Sequence, residues 1–309
     1  MLSGVLRAGL VQLRVLDLEK SATFYTKHLG LDEVGRTADG RVLLKAYDEF
    51  DHHSVVLREA DEPGIDLFGF KCLDEATVDR IKKETIEFGF PVEEVAANSD
   101  QPGFGRRIDV LTSTGHHIQF FSQVEMAASH PQIKNPHIWG DIEPHGMEPA
   151  RLDHCLLYGT DAQKTFKWFT DVVGFKMTET VEKEPGGDKL VCWLSGSTRG
   201  HDIAVLDFDK PGKLHHVGFH LEDWSAVGRA ADIMGRNHIS IDIGPTRHGI
   251  TRGQTIYFFD PSGNRLETFS GGYTYYPDMP TRVWDMDHVG EGIFYYDKKL
   301  NERFLSVYT

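Results

Sequence analysis

The stretch 256–267, with the sequence IYFFDPSGNRLE, decides the fold because it joins two strands through a tight turn. Its first four residues are apolar or aromatic and predict a strand, which the turn residues Asp-Pro-Ser-Gly-Asn at 260–264 end. A second strand begins at Arg265, and its alternation puts the carboxylate of Glu267 on the same face as the ring of Phe269. An acid on an inward face costs several kcal/mol unless it is paired or binds a metal. We therefore expect Glu267 to have partners elsewhere in the chain.

The composition is typical of a soluble globular protein, with 40% hydrophobic and 26% charged residues, and 309 residues suffice for two domains. A net charge of −14 without a basic run argues against nucleic acid and anionic membranes as partners. Arg7 and Arg14 interrupt the N-terminus before an apolar signal core forms. The three cysteines, Cys72, Cys155 and Cys192, are far apart and form no CxxC pair. We therefore expect a cytoplasmic protein whose thiols are small core residues.

A strand, a capping aspartate, a helical apolar stripe and a closing glycine occur twice in the chain. The first copy has its predicted N-cap at Asp17 and its stop at Gly30, and the second has them at Asp161 and Gly174. Both pairs are 144 residues apart (161 − 17 and 174 − 30). The constant offset indicates an internal duplication.

Two further blocks repeat in the same way. FGFKCLD at 68–74 matches VGFHLED at 217–223, and each block leads into a helix that begins at its aspartate. STGHHIQFFS at 113–122 matches PSGNRLETFS at 261–270. Each half therefore reads as two βαβββ units, and the sequence predicts an α+β fold of two domains, each built from a pair of βαβββ modules.

The two halves differ in chemistry at three equivalent strand positions. Leu10, Leu67 and Gln119 of the first half correspond to His154, His216 and Glu267 of the second half. Two neutral imidazoles and one carboxylate form a 2-His-1-carboxylate ligand set, which leaves coordination positions open for substrate and dioxygen on Fe(II). We therefore predict that the second half holds a metal and that the first half keeps only the architecture.

His215 is the alternative to His216 as a ligand. Strand parity favours His216, because Asp153-His154-Cys155 and His215-His216-Val217 both place an apolar residue directly after the ligand. The identity of the metal stays open between Fe(II) and Mn(II), since both accept this ligand set.

Three further polar residues are predicted to lie where they can act on a molecule bound to the metal. His201 directly precedes the apolar strand 203–206, and His248 lies in a loop of turn residues at 245–249. Tyr257 is on the strand that leads into the Asp-Pro-Ser-Gly turn. The following histidines are interpreted as surface or packing residues: His28, His52, His53, His116, His117, His130, His137, His145, His238 and His288.

The domain division follows from these assignments. We predict an N-terminal non-catalytic paired-module domain at 1–132, a linker rich in proline and glycine at 133–149, a catalytic metal-binding domain at 150–272 and a C-terminal tail at 273–309. The tail has no counterpart in the first half. Its apolar residues Val289, Ile293, Tyr296 and Leu300 predict a helix packed on the catalytic domain.

The run HGITRGQTIYFFDPSGNRLE at 248–267 resembles the signature segment of the type I extradiol ring-cleavage dioxygenases of the vicinal oxygen chelate superfamily. Four other blocks resemble, in the same order, the single-ring catechol 2,3-dioxygenases of that family: VQLRVLDL, VVLREADEPG, SIDIGPTRHG and LNERF. One departure is Leu10, where such proteins often keep a histidine. It lies in the half that is non-catalytic in the family.

The resemblance implies a homotetramer that cleaves catechol and substituted catechols with O2 to 2-hydroxymuconic semialdehyde. It implies Fe(II) at His154, His216 and Glu267, with His201 as the acid/base near dioxygen. It further implies that His248 and Tyr257 hydrogen-bond the hydroxyls of the substrate. His201 suits this role because the unperturbed pKa of histidine is near neutral.

Two alternatives use the same scaffold. One is a redox-inert glyoxalase-like or thiol-transferase enzyme with Zn or Mn, and the other is a module that sequesters an aromatic ligand. The single complete ligand set, together with His201, His248 and Tyr257, favours oxygen chemistry over the first. The intact ligand set argues against the second. The substituents tolerated on the ring depend on the shape of the pocket.

Overall fold

The computed structural model describes residues 3–127 and 145–309 of the chain. Most of the predicted linker, together with His130 and His137, lies outside these residues. Within the described part, no helix is long and apolar enough to cross a lipid bilayer.

The first half consists of two βαβββ modules. The first module contains β1 (Val5–Val15), α1 (Leu18–Thr23, continued by a π-helix over Phe24–Leu29), β2 (Asp32–Arg36), β3 (Val42–Lys45) and β4 (Val55–Glu59). The second module contains β5 (Gly64–Cys72), α2 (Glu75–Phe88), β6 (Val92–Val95), β7 (Arg107–Leu111) and β8 (His117–Phe121).

The second half repeats this order. Its first module contains β9 (Arg151–Gly159), α3 (Ala162–Trp168, continued by a π-helix over Phe169–Val173), β10 (Lys176–Glu182), β11 (Lys189–Ser195) and β12 (Ile203–Asp207). Its second module contains β13 (Lys213–His220), α4 (Trp224–Arg236), β14 (Ile241–Arg247), β15 (Gly253–Phe259) and β16 (Arg265–Gly271). The predicted fold class is confirmed, and the π-helical ends recur at the same place in both copies.

The tail contains one short strand and two five-residue helices, β17 (Arg282–Trp284), α5 (Val289–Ile293) and α6 (Glu302–Ser306). The prediction of one helix through Val289, Ile293, Tyr296 and Leu300 was therefore wrong beyond Ile293. Tyr296 and Leu300 are 58% and 37% exposed. The helix contains two glycines, which weaken it, and the carbonyl of Ile293 is used by a side chain of the site described below.

Each half forms one mixed sheet. The strand order is β2-β3-β4-β1-β5-β8-β7-β6 in the first sheet and β14-β15-β16-β13-β9-β12-β11-β10-β17 in the second. The first strands of the two modules pair antiparallel at the centre of each sheet, β1 with β5 and β9 with β13. The tail strand β17 extends the second sheet by pairing parallel with β10.

Three of the four predicted helix caps are confirmed. Asp17, Asp74 and Asp223 each accept a hydrogen bond from a backbone N–H in the first turn of their helix. Asp161 is the exception, because its backbone is left-handed and its side chain makes no cap. The N–H of Ala162 instead donates to the carboxylate of Asp207 at 3.2 Å, so that a neighbouring strand supplies the missing acceptor.

One hydrophobic core is shared by the two halves. Trp168 of α3 stacks edge-on against Phe120 of the first sheet, with ring centroids 5.9 Å apart, and its indole donates to Thr85 of α2 at 3.0 Å. Phe24 of the first half contacts Phe258 of the second, with centroids 6.3 Å apart. A separate, smaller apolar cluster of the first half contains Leu10 and Leu67.

Candidate metal centre

The register of the strands confirms the equivalences read from the sequence. Leu10 faces Gly69 across β1 and β5, and His154 faces Gly218 across β9 and β13. Gln119 faces Asp109 across β8 and β7, and Glu267 faces Tyr257 across β16 and β15. The three predicted ligand positions of the second half are therefore structurally equivalent to Leu10, Leu67 and Gln119.

His154, His216 and Glu267 come together from three neighbouring strands, β9, β13 and β16. The Nε2 atom of His154 lies 2.9 Å from Oε2 of Glu267, and the Nε2 atom of His216 lies 3.3 Å from the same oxygen. The two Nε2 atoms are 3.3 Å apart. One donor atom from each residue lies within 4.8 Å of the others, and all three residues are buried. Two imidazoles and one carboxylate, converging with free donor atoms, fit a divalent transition metal.

The electrostatics of the three residues are strongly coupled. Burial lowers the pKa of His154, but the hydrogen bonds to Asp153 and Glu267 outweigh it and raise the pKa to about 9. Burial lowers the pKa of His216 to about 4. Burial raises the pKa of Glu267, but its hydrogen bonds to the two imidazoles outweigh burial and hold the pKa well below its usual value. Without a metal, the centre is therefore neutralised by a proton on His154.

The other two candidate ligands, His154 and Glu267, are oriented by polar neighbours. The carboxylate of Asp153 accepts from Nδ1 of His154 at 3.1 Å and also pairs with Arg199 at 2.8 Å. Although burial opposes it, the charge of Arg199 holds the pKa of Asp153 below its usual range. The hydroxyl of Thr255 donates to Oε1 of Glu267. These contacts leave Nε2 of His154 and Oε2 of Glu267 facing the centre.

His215 points away from the centre. Its Nε2 atom lies 2.7 Å from the backbone carbonyl oxygen of Phe304, and its ring stacks on Tyr158 with centroids 4.9 Å apart. The geometry thus brings His216 and not its neighbour to Glu267, which is the choice that strand parity favours.

His201 lies beside His154, the first candidate ligand. The centroids of the His201 and His154 rings are 4.1 Å apart. Burial, followed by the charge of His154, lowers the pKa of His201 well below its ordinary value. Burial and the neighbouring imidazole of His154 thus move the pKa of His201 away from the near-neutral value of an unperturbed histidine.

His248 and Tyr257 form a hydrogen-bonded pair near Oε1 of Glu267, the carboxylate oxygen that does not face His154 and His216. The Nδ1 atom of His248 donates to the carbonyl of Ile293, so its Nε2 atom accepts from the hydroxyl of Tyr257 at 2.8 Å. Nε2 of His248 lies 3.8 Å from Oε1 of Glu267. Burial, followed by the charge of Glu267, raises the pKa of Tyr257 well above its ordinary value, so this residue stays a neutral hydroxyl.

All six predicted site residues line one cavity of about 280 Å³. Its remaining wall combines apolar and aromatic residues with polar ones, the former including Leu156, Trp193, Ala204, Ile250 and Phe269 and the latter Arg151, Arg199, His220 and Thr251. The ring of Phe269 packs edge-on against His154 with centroids 5.1 Å apart. The cavity can therefore hold a small aromatic molecule against the three converging donor atoms.

Sequence reasoning missed several residues that contact the site. Asp153 directly precedes His154, and Arg199 lies two residues before His201, so proximity in the sequence was the available signal. Glu179 gave none, because it is an ordinary strand position of β10. Its buried carboxylate accepts from the backbone N–H of Thr251 at 2.7 Å and from the Trp284 indole at 2.7 Å, which fastens the tail beside the cavity.

Two family models match the chain. The model of the Glyoxalase/Bleomycin resistance protein/Dioxygenase superfamily covers residues 151–268, and that of the catechol 2,3-dioxygenase-like N-terminal domain covers residues 65–125. The first match spans all three candidate ligands. The second lies wholly in the half that lacks them.

The chain is similar over its length to characterised proteins. It is 46% identical to a metapyrocatechase of Pseudomonas sp. strain CF600, with 100% of both chains covered. It is 29% identical to a manganese-dependent 2,3-dihydroxybiphenyl 1,2-dioxygenase of Geobacillus genomosp. 3, covering 97% of this chain and 96% of that protein. Among solved structures, the 2,3-dioxygenase LapB of Pseudomonas sp. KL28 matches with a TM-score of 0.88 and 45% identity, covering 93% and 99% of the two chains.

Proposed function

Because the chain belongs to the extradiol ring-cleavage dioxygenases of the glyoxalase/bleomycin resistance protein/dioxygenase superfamily, we propose that it cleaves catechol beside its two hydroxyls with O2, using Fe(II). The product of this reaction with catechol is 2-hydroxymuconic semialdehyde. The observation that carries the proposal is the convergence of His154, His216 and Glu267 inside an apolar cavity. The redox-inert and ligand-sequestering alternatives are not favoured, since the similarity to dioxygenases extends over the whole chain.

His154, His216 and Glu267 would hold the metal through two Nε2 atoms and one carboxylate oxygen. When bound there, the metal would supply Lewis acidity toward a ring hydroxyl and the redox activity that a reaction with O2 requires. The name of one relative is that of a manganese-dependent enzyme, and this ligand set accepts both metals, so the preference for Fe(II) rests on the family resemblance.

His201 is proposed as the acid/base of the reaction. Its ring stands beside that of His154, at the edge of the cavity. A lowered pKa keeps the imidazole neutral in the resting site, so that it can accept the proton released by a catechol hydroxyl. The same low pKa makes the protonated form a strong acid, which favours return of the proton to an oxygen atom later in the reaction.

His248 and Tyr257 are proposed to bind the hydroxyl side of the substrate. The carbonyl of Ile293 fixes the tautomer of His248, so that its Nε2 atom faces the cavity as an acceptor. Tyr257 remains protonated and supplies a hydroxyl donor beside it. In the structure the two groups bond to each other, and a catechol that replaced this bond would meet one acceptor and one donor, which match the functions of its own adjacent oxygens.

The apolar wall is proposed to hold the aromatic ring and to exclude water. Trp193, Ala204 and Ile250 are buried and pack in one cluster with the partly buried Leu156. Arg151 and Arg199 also line the cavity, and both pair with the carboxylate of Asp153. The apolar part of the wall therefore suits the faces of an aromatic ring.

The choice of metal is tested by reconstituting the metal-free protein separately with Fe(II), Mn(II) and Zn(II) without air. Catechol and air-saturated buffer are then added, and oxygen consumption is recorded. We expect uptake of O2 with Fe(II) and none with Zn(II), which has no accessible redox state. Uptake with Mn(II) but not with Fe(II) would assign manganese instead.

The remaining expectations concern assembly and location. We propose a homotetramer in the cytoplasm, on the basis of the family resemblance and of three buried, unpaired thiols, which suit a reducing compartment. Sedimentation equilibrium of the reconstituted protein tests the assembly, and a molar mass other than four times that of one chain would contradict it.

A further inference from the structure

His215 is the chain neighbour of a proposed ligand and has both ring nitrogens engaged. It is 0% exposed. Its Nδ1 atom lies 2.7 Å from Nδ1 of His216, and its Nε2 atom lies 2.7 Å from the carbonyl oxygen of Phe304. Adjacent strand residues normally point to opposite faces. Here the pairing of β13 with β9 shifts register between Leu214 and His216, and this bulge leaves His215 without a partner in the register.

The positions of the protons on His215 and His216 can be assigned by starting from the carbonyl of Phe304. A carbonyl oxygen only accepts, so the Nε2 atom of His215 carries a hydrogen and donates it to Phe304. In a neutral imidazole the other nitrogen, Nδ1, is then an acceptor. The Nδ1 atom of His216 must donate to it, which leaves the lone pair of His216 on Nε2, the atom that faces Glu267 at 3.3 Å.

The same assignment follows when a metal bound by His216 is taken as the starting point. A neutral imidazole that binds a metal through Nε2 carries its hydrogen on Nδ1 and needs an acceptor for it. The acceptor within reach is Nδ1 of His215, which must then be unprotonated. Its hydrogen is accordingly on Nε2, where the carbonyl of Phe304 lies. Both directions give one consistent set of tautomers.

The carbonyl of Phe304, which ends this series of hydrogen bonds, lies in a part of the tail that is hydrogen-bonded to the second sheet. Arg265 donates to the carbonyl of Val307 at 2.8 Å, in the turn that ends α6. Leu214 and Thr309 exchange two backbone hydrogen bonds, of 2.8 and 3.0 Å. The ring of Phe304 also packs edge-on against that of His215, with centroids 4.7 Å apart.

The internal repeat shows that the fold does not require a histidine here. The position equivalent to His215 in the first half is Asp66 (215 − 149), which is also bulged, between Ile65 and Leu67. Asp66 is partly exposed and pairs with Arg58 at 2.7 Å. The first half has neither a ligand at Leu67 nor a counterpart of the tail. The buried His215 and the Phe304 carbonyl thus occur only in the half that has the proposed ligand His216.

We infer that His215 is a positioning residue, which fixes the tautomer and the ring orientation of His216 for metal binding and is itself fixed by the Phe304 carbonyl of the C-terminal tail. His154 is oriented differently, by the carboxylate of Asp153. His154 is therefore oriented by a charged hydrogen-bond partner, and His216 by a neutral one. This inference rests on the proposed metal site, because it assigns a role toward the metal bound at His216.

The test compares two replacements of His215 that separate hydrogen bonding from packing. His215→Phe keeps an aromatic ring against Tyr158 but offers no acceptor. His215→Asn is too short to fill the space, but its Oδ1 atom takes the place of Nδ1 and can accept from His216. His53→Phe is the matched control, because His53 is also 0% exposed and hydrogen-bonded through both nitrogens, to His52 at 2.9 Å and to Gln101 at 3.0 Å.

The readout is the dissociation constant of Fe(II) for the metal-free proteins, measured without air by competition with a chromophoric chelator. We expect His215→Phe to weaken binding about 10–100-fold. His215→Asn should weaken binding less than His215→Phe, and His53→Phe should leave it unchanged. If His215→Phe does not fold, His215→Leu replaces it in the comparison with His215→Asn.

Equal affinity of His215→Phe and the parent, or weaker binding by His215→Asn than by His215→Phe, would overturn the role of His215 and leave the proposed function standing. Failure of the parent itself to bind Fe(II), under conditions in which Glu267→Gln behaves identically, would instead remove the proposed metal site and this inference with it.

Discussion

Gly218 faces His154 across the central strand pair, and a Cβ atom at Gly218 would lie 2.6 Å from Nε2 of His154. Real Cβ atoms do not approach another atom so closely, and the obstructing group is a buried ring that holds two hydrogen bonds. The absence of a side chain at Gly218 thus leaves room for the ring of His154, the first proposed ligand. The equivalent Gly69 faces Leu10, where an added Cβ would lie 3.1 Å from the nearest carbon.

Gly218→Ala should displace the ring of His154 and lower the metal content of the protein. We expect at least about a tenfold loss of Fe(II) affinity, the size seen when an orienting contact of a ligand is lost. Gly69→Ala is the matched control, since it makes the same change beside Leu10. Metal titration of both variants checks the prediction, which fails if Gly218→Ala binds Fe(II) as tightly as Gly69→Ala does.

Glu267→Gln should abolish metal retention, because it turns the carboxylate into the amide found at position 119 of the first half. The variant keeps the size of the side chain and can still accept from Thr255, so the fold should persist. Metal analysis after gel filtration, with circular dichroism for the fold, provides the measurement. Gln119→Glu is the reciprocal control and should gain no metal, since Leu10 and Leu67 offer no donor atoms. Iron bound by Glu267→Gln at the parental level would contradict the ligand assignment.

His201→Ala should leave the binding of iron and catechol nearly intact while lowering kcat by roughly 10²–10⁴-fold, the usual contribution of a general acid/base. The variant His53→Ala is a suitable comparison, because His53 is the equivalent residue of the first half (201 − 148). It should affect stability without affecting kcat. Stopped-flow turnover with preloaded iron separates the chemical step from binding. A parental kcat for His201→Ala would remove this residue from the mechanism.

The affinity for the metal should rise with pH up to about 9. Burial lowers the pKa of His154, but Asp153 and Glu267 raise it to about 9, so below that pH the metal must displace a proton. The apparent affinity should therefore change by about tenfold per pH unit below pH 9. A pH-independent affinity between pH 6.5 and 9 would show that His154 carries no proton in the metal-free site.

The stability of the metal-free protein should change in the opposite direction. The folded-state pKa of His154 lies above its unfolded value of about 6.5, so its ion pair contributes fully below that pH and is lost as the pH rises through about 9. Urea unfolding of the metal-free protein between pH 6.5 and 9 checks the sign. In Glu267→Gln the pH dependence should be smaller, because one of the two carboxylates is gone.

The sequence predicted the repeated modules and the residues of the site because the duplication supplies an internal reference. His154 and Leu10 occupy the same strand position, so the comparison isolates chemistry from architecture. Parity along β13 likewise separated His216 from His215. These inferences depend on strand alternation and on constant offsets, which can be read from the sequence without any knowledge of the packing.

Other features depend on contacts between distant segments, which no local pattern reveals. The cap of α3 comes from Asp207 and not from Asp161, and the tail helix ends where its carbonyl is taken by His248. The first half gives a further example. Arg107 occupies the position equivalent to Thr255 and donates to Gln119 at 3.0 Å, so a buried guanidinium contacts the residue that replaces the carboxylate ligand.

Extradiol cleavage at a metal bound by His154, His216 and Glu267 requires both iron and O2. The most direct measurement is reconstitution of the metal-free protein with Fe(II) without air, followed by addition of catechol and O2 while product absorbance and oxygen uptake are recorded together. We expect a yellow ring-fission product with one O2 consumed per catechol, and neither signal from Glu267→Gln. Iron-loaded parent protein that forms no such product, or that consumes no O2, would contradict it.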